Sequence, residues 1–120
     1  MGIVQNTATV TIASGAAGLS AAVFLGAKVP MAIDMPAGWV AASLTFQGSS
    51  DGVTYSDVHD EFGVEYVVVP VAGKRATIPP MDAMRLGPYI KIRSGTAAVP
   101  VNQTAERLLT VTTRALSGPF

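Results

Sequence analysis

The sequence predicts an all-β domain, a β-sandwich or jelly roll of about eight mostly antiparallel strands. Three observations predict it. Short segments alternate apolar and polar residues with a period of two, as strands with one buried face do. Gly, Pro and Asp clusters separate these segments at short intervals. No stretch carries the longer period of an amphipathic helix beyond a turn or so.

Residues 3–13 (IVQNTATVTIA) place Val4, Ala8, Val10 and Ile12 on one face and Gln5, Thr7, Thr9 and Thr11 on the other. Their β-branched content predicts a strand. Residues 14–26 are rich in Gly and Ser and read as an irregular connection with a short strand at Val23 to Leu25. Residues 28–35 (KVPMAIDM) alternate with Val29, Met31, Ile33 and Met35 together. Pro30 lacks an N–H, which predicts an edge strand or a bulge.

The centre of the chain, Trp39 to Val58, reads as a hairpin. Val40, Ala42, Leu44 and Phe46 share one face of its first strand. Gly48-Ser49-Ser50-Asp51-Gly52 is the turn, and Val53 and Tyr55 are the apolar pair of the returning strand. After a turn at residues 59–63, the run 64–71 (VEYVVVPV) is apolar on both faces. That predicts a central strand, or one whose outer face meets a partner. A short strand at Arg75 to Ile78 stops at Pro79-Pro80, and Met81 to Leu86 reads as one helical turn. Tyr89 to Arg93 points Ile90 and Ile92 inward and Lys91 and Arg93 outward. Residues 94–106 form a long connection, a length that is uncommon without a role. Residues 107–116 are the last strand.

A chain of 120 residues fits one domain with a core of its own. It has no Cys, so neither disulfides nor thiolate metal sites are expected. Eight basic and eight acidic side chains give net zero charge, and charged residues are 13% of the chain against roughly 25% in an ordinary soluble domain. So few charges leave an uncharged surface with little repulsion between copies, which suits a subunit buried in an oligomer or a lattice. Neutrality argues against a nucleic-acid partner, which needs a basic stripe. No segment has the apolar length to span a membrane as a helix.

Residue types that carry chemistry are sparse. Gly48-x-Ser50-x-Gly52 matches the spacing of a hydrolase nucleophile elbow, but that elbow needs a helix after the turn, and a strand is expected here. Asp57, Asp60 and Glu61 beside the single His59 lack the regular spacing of a calcium loop. No catalytic residue, metal or other cofactor is therefore assigned, and the chain is expected not to be an enzyme. Trp39, Tyr55, Phe62, Tyr66 and Tyr89 would suit a carbohydrate-stacking face if they converged. Lys91, Arg93, Arg107 and Arg114 would make a small basic face on two strands.

The pattern Leu44-x-Phe46-Gln47-x-Ser49-x-Asp51-Gly52-x-x-Tyr55, with the later Ile92-Arg93-Ser94-Gly95 before the last strand, resembles a family of small proteins encoded by tailed bacteriophages and prophages. The openings TVTIASGAAGLSAAVFLG and MPAGW fit as well, so the resemblance covers nearly the whole chain. One departure is Ser56-Asp57, which stands where a bulky residue is expected. The resemblance implies a virion structural protein of the head-decoration or cement type on the capsid exterior, made in the host cytoplasm. Its partners would be the major capsid protein and further copies of itself, as a trimer at a symmetry axis. A head-fibre or tail-associated protein, or a carbohydrate-binding module, is the alternative.

Lack of charge and segment length then nominate the contact residues. They are Ile3, Val4, Val10 and Ile12 in an N-terminal arm or strand (residues 1–12), Val67 and Val69 in the apolar run, and Val99 and Val101 in the long connection.

Overall fold

The computed structural model describes residues 5–15 and 18–115. Two four-stranded antiparallel sheets face each other. The first contains β1 (Gln5–Ile12), β8 (Arg107–Ala115), β3 (Lys28–Asp34) and β6 (Arg75–Thr77), in that order. The second contains β2 (Val23–Phe24), β7 (Tyr89–Ser94), β4 (Leu44–Ser49) and β5 (Ser56–Asp57), in that order. A single helical turn, α1 (Pro80–Ala83), starts on Pro79-Pro80, where a fixed φ and a missing N–H suit the first turn. The expected eight-stranded all-β sandwich is what the chain forms.

The core lies between the inner faces. Val10, Ile12, Ile33, Leu109 and Val111 come from the first sheet and Leu44, Phe46, Ile90 and Ile92 from the second, all buried. Met35, Trp39, Val68, Ile78, Ala83 and Leu86 complete the cluster. β1 pairs with β8 along its whole length, from Gln5↔Arg114 to Ile12↔Arg107. From residue 5 onward the N-terminal segment is thus an integral edge strand. Val10 and Ile12 point into the core and are withdrawn from the contact set, because alternation sends their neighbours Thr9 and Thr11 outward instead. Ile3 and Val4 lie outside the described residues.

Pro30 sits at a shift of register between Pro30 and Ala32 in the β3–β8 ladder, the bulge that a missing N–H favours. β3 is central, between β8 and β6, and not an edge.

The expected hairpin is shorter than its sequence suggests. Its first strand begins only at Leu44, and Trp39 is buried ahead of it with Nε1 donating to Ala42 O. The return strand is two residues, Ser56 and Asp57, and Val53 is fully out in solvent. The Ser49–Thr54 loop replaces the tight turn. Asp51 Oδ1 accepts from the Val53 and Thr54 amides at 2.8 and 2.9 Å and from Ser49 Oγ at 2.9 Å, and Gly52 takes φ +76°. These bonds hold the Asp51 carboxyl below the usual carboxylate range.

The run 64–71 is not a strand. It touches the second sheet through isolated bridges, His59↔Glu65 and Leu44↔Val68. Val68 exchanges both backbone bonds with Leu44 at 2.8 and 2.9 Å, and the Tyr66 amide donates to Val58 O at 2.9 Å. The segment therefore runs along the outer edge of the second sheet. Tyr66 packs inward on Phe46, with ring centroids 5.9 Å apart, and Val68 is buried, while Val67 and Val69 face out.

Candidate functional site

No group of three or more His, Cys, Asp or Glu side chains among the described residues is placed to hold a metal ion. The acidic cluster around His59 disperses. Asp57 turns to Arg93, Asp60 Oδ1 accepts from the Phe62 and Val64 amides at 2.8 and 3.0 Å, and Glu61 lies 3.5 Å from Arg85. Ser50 sits in a loop that leads into β5 and not into a helix, so the elbow geometry is not formed.

The two predicted faces also come apart. Lys91 and Arg93 lie on the second sheet, Arg107 and Arg114 on the first, so they make no common basic face. Among the aromatics, Trp39 is core and Phe62 tops the 60–64 turn, 83% exposed. A smaller aromatic group does form on the outer face of the second sheet. There Tyr89 packs on Phe24 with centroids 4.8 Å apart, and Lys91 Nζ stands 4.4 Å over the Tyr55 ring.

Arg93 is the residue whose environment the sequence misjudges most. It points away from the core, as the alternation requires, yet its side chain is only 8% exposed. One nitrogen lies 2.6 Å from Asp57 Oδ1, and another lies 3.3 Å from Glu65 Oε2 and 3.4 Å from Thr45 Oγ1. The Arg93 guanidinium holds the Asp57 carboxyl below its ordinary range. Glu65 also accepts from the Ala97 amide at 3.0 Å. One buried cation thus joins β5, the 64–71 segment and, through Glu65, the loop after β7.

That loop is anchored at its far end too. Gln103 is buried, and its amide group accepts from Val40 N at 2.8 Å and donates to Val40 O at 3.0 Å and to Ser94 Oγ at 2.9 Å. Gly95 takes φ +90° and would bring a Cβ within 2.6 Å of Val101 N and Val99 O, so only glycine fits. Val101 is half-buried here, and Val99 stands exposed at the tip.

The remaining feature is an apolar ridge. Val64, Val67, Val69 and Val71, with Phe62 before them, are exposed along one segment, and Val69 is 77% open. Glu65, the one acid among residues 62–71, is turned onto Arg93 and away from the ridge. Of the contact residues nominated from sequence, Val67, Val69 and Val99 lie at the surface, and the Glu65–Ala97 bond ties their two segments together. The exposed side chains amount to on the order of 500 Å², the size of the largest patch a monomer normally carries.

Comparison with protein-family models, curated proteins and solved structures gives no match for this chain.

Proposed function

We propose that this chain is a non-enzymatic virion structural subunit that decorates or cements a phage capsid by binding neighbouring coat subunits. The observation that carries the proposal is the exposed valine ridge, Val64 to Val71, on a chain with about half the usual charge. A side chain such as Val69 gains roughly 1.5–3 kcal/mol when it leaves water completely. A few such residues per subunit, repeated over a shell, give high avidity from modest contacts. Binding the assembled lattice and not the free coat subunit would favour the assembled shell by mass action. The resemblance to tailed-phage virion proteins supplies the partner class.

The test is co-sedimentation of the purified chain with phage heads that lack it. Saturable binding is expected for the native chain and loss of binding for Val64→Asp/Val71→Asp, which alters exposed positions only. A native chain that stays in the supernatant overturns the proposal.

One observation favours a second reading, carbohydrate binding on the virion surface: the Phe24–Tyr89 pair and Tyr55 under Lys91 form a small aromatic platform. Glycan binding lost in Tyr55→Ala or Phe24→Ala, and kept in Val69→Asp, would support it. Trp39→Ala is no test of it, because Trp39 is core.

A further inference from the structure

We infer that the edge Val67–Val68–Val69 pairs antiparallel with the same edge of a second copy across a two-fold axis, joining the second sheets of two subunits. The inference rests on the proposed function: Val67 and Val69 join two copies, and the rest of the ridge, Phe62, Val64 and Val71, stays exposed for the coat contact.

Backbone geometry comes first. Val68 directs both its N–H and its C=O to Leu44. The Tyr66 N–H likewise meets Val58 O, so around the antiparallel Leu44↔Val68 bridge residues 66 and 68 address the sheet, and in such an extended segment the backbone groups of Val67 and Val69 point to the opposite side. Among the described residues no backbone group meets them. A two-fold axis at Val68 sets Val67 opposite the partner's Val69, and Val69 opposite the partner's Val67. Each pair exchanges two bonds, about four in all. The edge is thus its own complement, as an isologous contact requires. Pro70 does not interrupt it, because the group that it lacks would point inward, on the side of Val68.

Space and charge agree with a second copy as the occupant. The edge borders an open groove of about 450 Å³ lined by Tyr66, Val67, Val69, Arg75, Thr77 and Asp82 among others. Of its ionisable groups, Arg75 is paired, with Nε 2.7 Å from Asp34, and Asp82 lies beside the Tyr66 hydroxyl. Glu65 is held by Arg93. A net charge of zero leaves little long-range repulsion between copies. No lysine stands among residues 64–71 to keep a second edge away. The Val67–Val69 edge exposes only part of the ridge, which puts the contact among small, concentration-dependent interfaces.

The chain has no Cys, which makes cross-linking free of background. Opposed Val67 and Val69 of two copies would have Cα atoms about 5.5 Å apart, the separation that a disulfide prefers. Under mild oxidation, the full chain carrying Val67→Cys and Val69→Cys together should give roughly ten-fold more covalent dimer than either single variant, whose own thiols sit too far apart across the axis. Sedimentation velocity of the native chain should show a monomer–dimer equilibrium, shifted to monomer by Val69→Lys. No dimer, a trimer, or equal cross-linking in the single variants overturns the inference. Head co-sedimentation of the native chain, scored separately, distinguishes that failure from failure of the capsid proposal.

Discussion

Replacing Arg93 by Met should destabilise the fold by about 2–4 kcal/mol at pH 7. Breaking a buried pair by removing one partner typically costs about 3–5 kcal/mol, because the remaining charge is left uncompensated. Here two carboxylates are left, Glu65 with its side chain 19% exposed and Asp57 with 35%. Water reaches Asp57, so the figure is discounted to the lower range. For a chain of this length the melting temperature should fall by about 8–15 °C. Urea unfolding at fixed ionic strength measures it, with the m-value unchanged if only the native contacts are lost.

The same substitution has a pH signature. Asp57 titrates lower in the folded chain than its unfolded value of about 3.9. Its contribution is therefore present above that value and disappears as the pH falls through the folded value. The gap between native chain and Arg93→Met should accordingly narrow from pH 7 toward pH 3, as the part of the gap that rests on the ionised Asp57 carboxylate is lost. Adding Asp57→Asn and Glu65→Gln to Arg93→Met should recover most of the loss. A cost under about 0.5 kcal/mol, the size of an ordinary surface substitution, would refute the reasoning. So would a gap that does not change with pH.

Further outcomes follow from other contacts. Gln103→Leu leaves Val40 N, Val40 O and Ser94 Oγ without their partner, and should cost about 2–3 kcal/mol in the same unfolding assay. Gly95→Ala forces a Cβ against Val101 N and Val99 O at a positive φ, and should cost about 1–3 kcal/mol with faster amide exchange across residues 95–101. Burial, aided by the neighbouring Asp82, pushes the Tyr66 hydroxyl up to about 12. Alkaline absorbance titration should therefore show a phenol step at about pH 12 that Tyr66→Phe removes. Because the unfolded phenol ionises near pH 10, stability should fall as the pH rises between those two values.

Much of the sandwich was legible because a strand with one wet face writes its period into the sequence. Residues 3–13, 89–93 and 107–116 alternate cleanly and became β1, β7 and β8. Pro30 marked its bulge for the same local reason. The run 64–71 misled because valine on both faces reads as a buried strand, whereas here alternate valines face solvent at a sheet edge. Arg93 was placed on the correct face but in the wrong environment. What buries it is Asp57 and Glu65, which arrive from other parts of the chain, and alternation carries no information about what covers an outer face. Gln103 gave no signal at all, being one polar residue in a polar loop whose partners lie 63 and 9 residues away.

The placement of the few charges argues for what kind of contact the surface can make. Arg93 and Glu65 are spent inside, Arg75 on Asp34, and Arg85 stands beside Glu61. Between the exposed charges that remain, such as Lys74 and Glu106, the surface presents hydroxyl and hydrocarbon: Thr7, Thr9 and Thr11 on β1, Leu108 on β8, and the valines of the 64–71 segment. A contact steered by surface charge weakens once salt screens it, with a Debye length of about 10 Å at 0.1 M falling to about 3 Å at 1 M. An apolar contact does not, and excluded salts such as sulfate strengthen it. The proposed association with phage heads should therefore hold from 0.1 to 1 M NaCl and tighten in ammonium sulfate, measured by the same co-sedimentation. Affinity that collapses with NaCl would mean that charges, and not the valine ridge, make the contact.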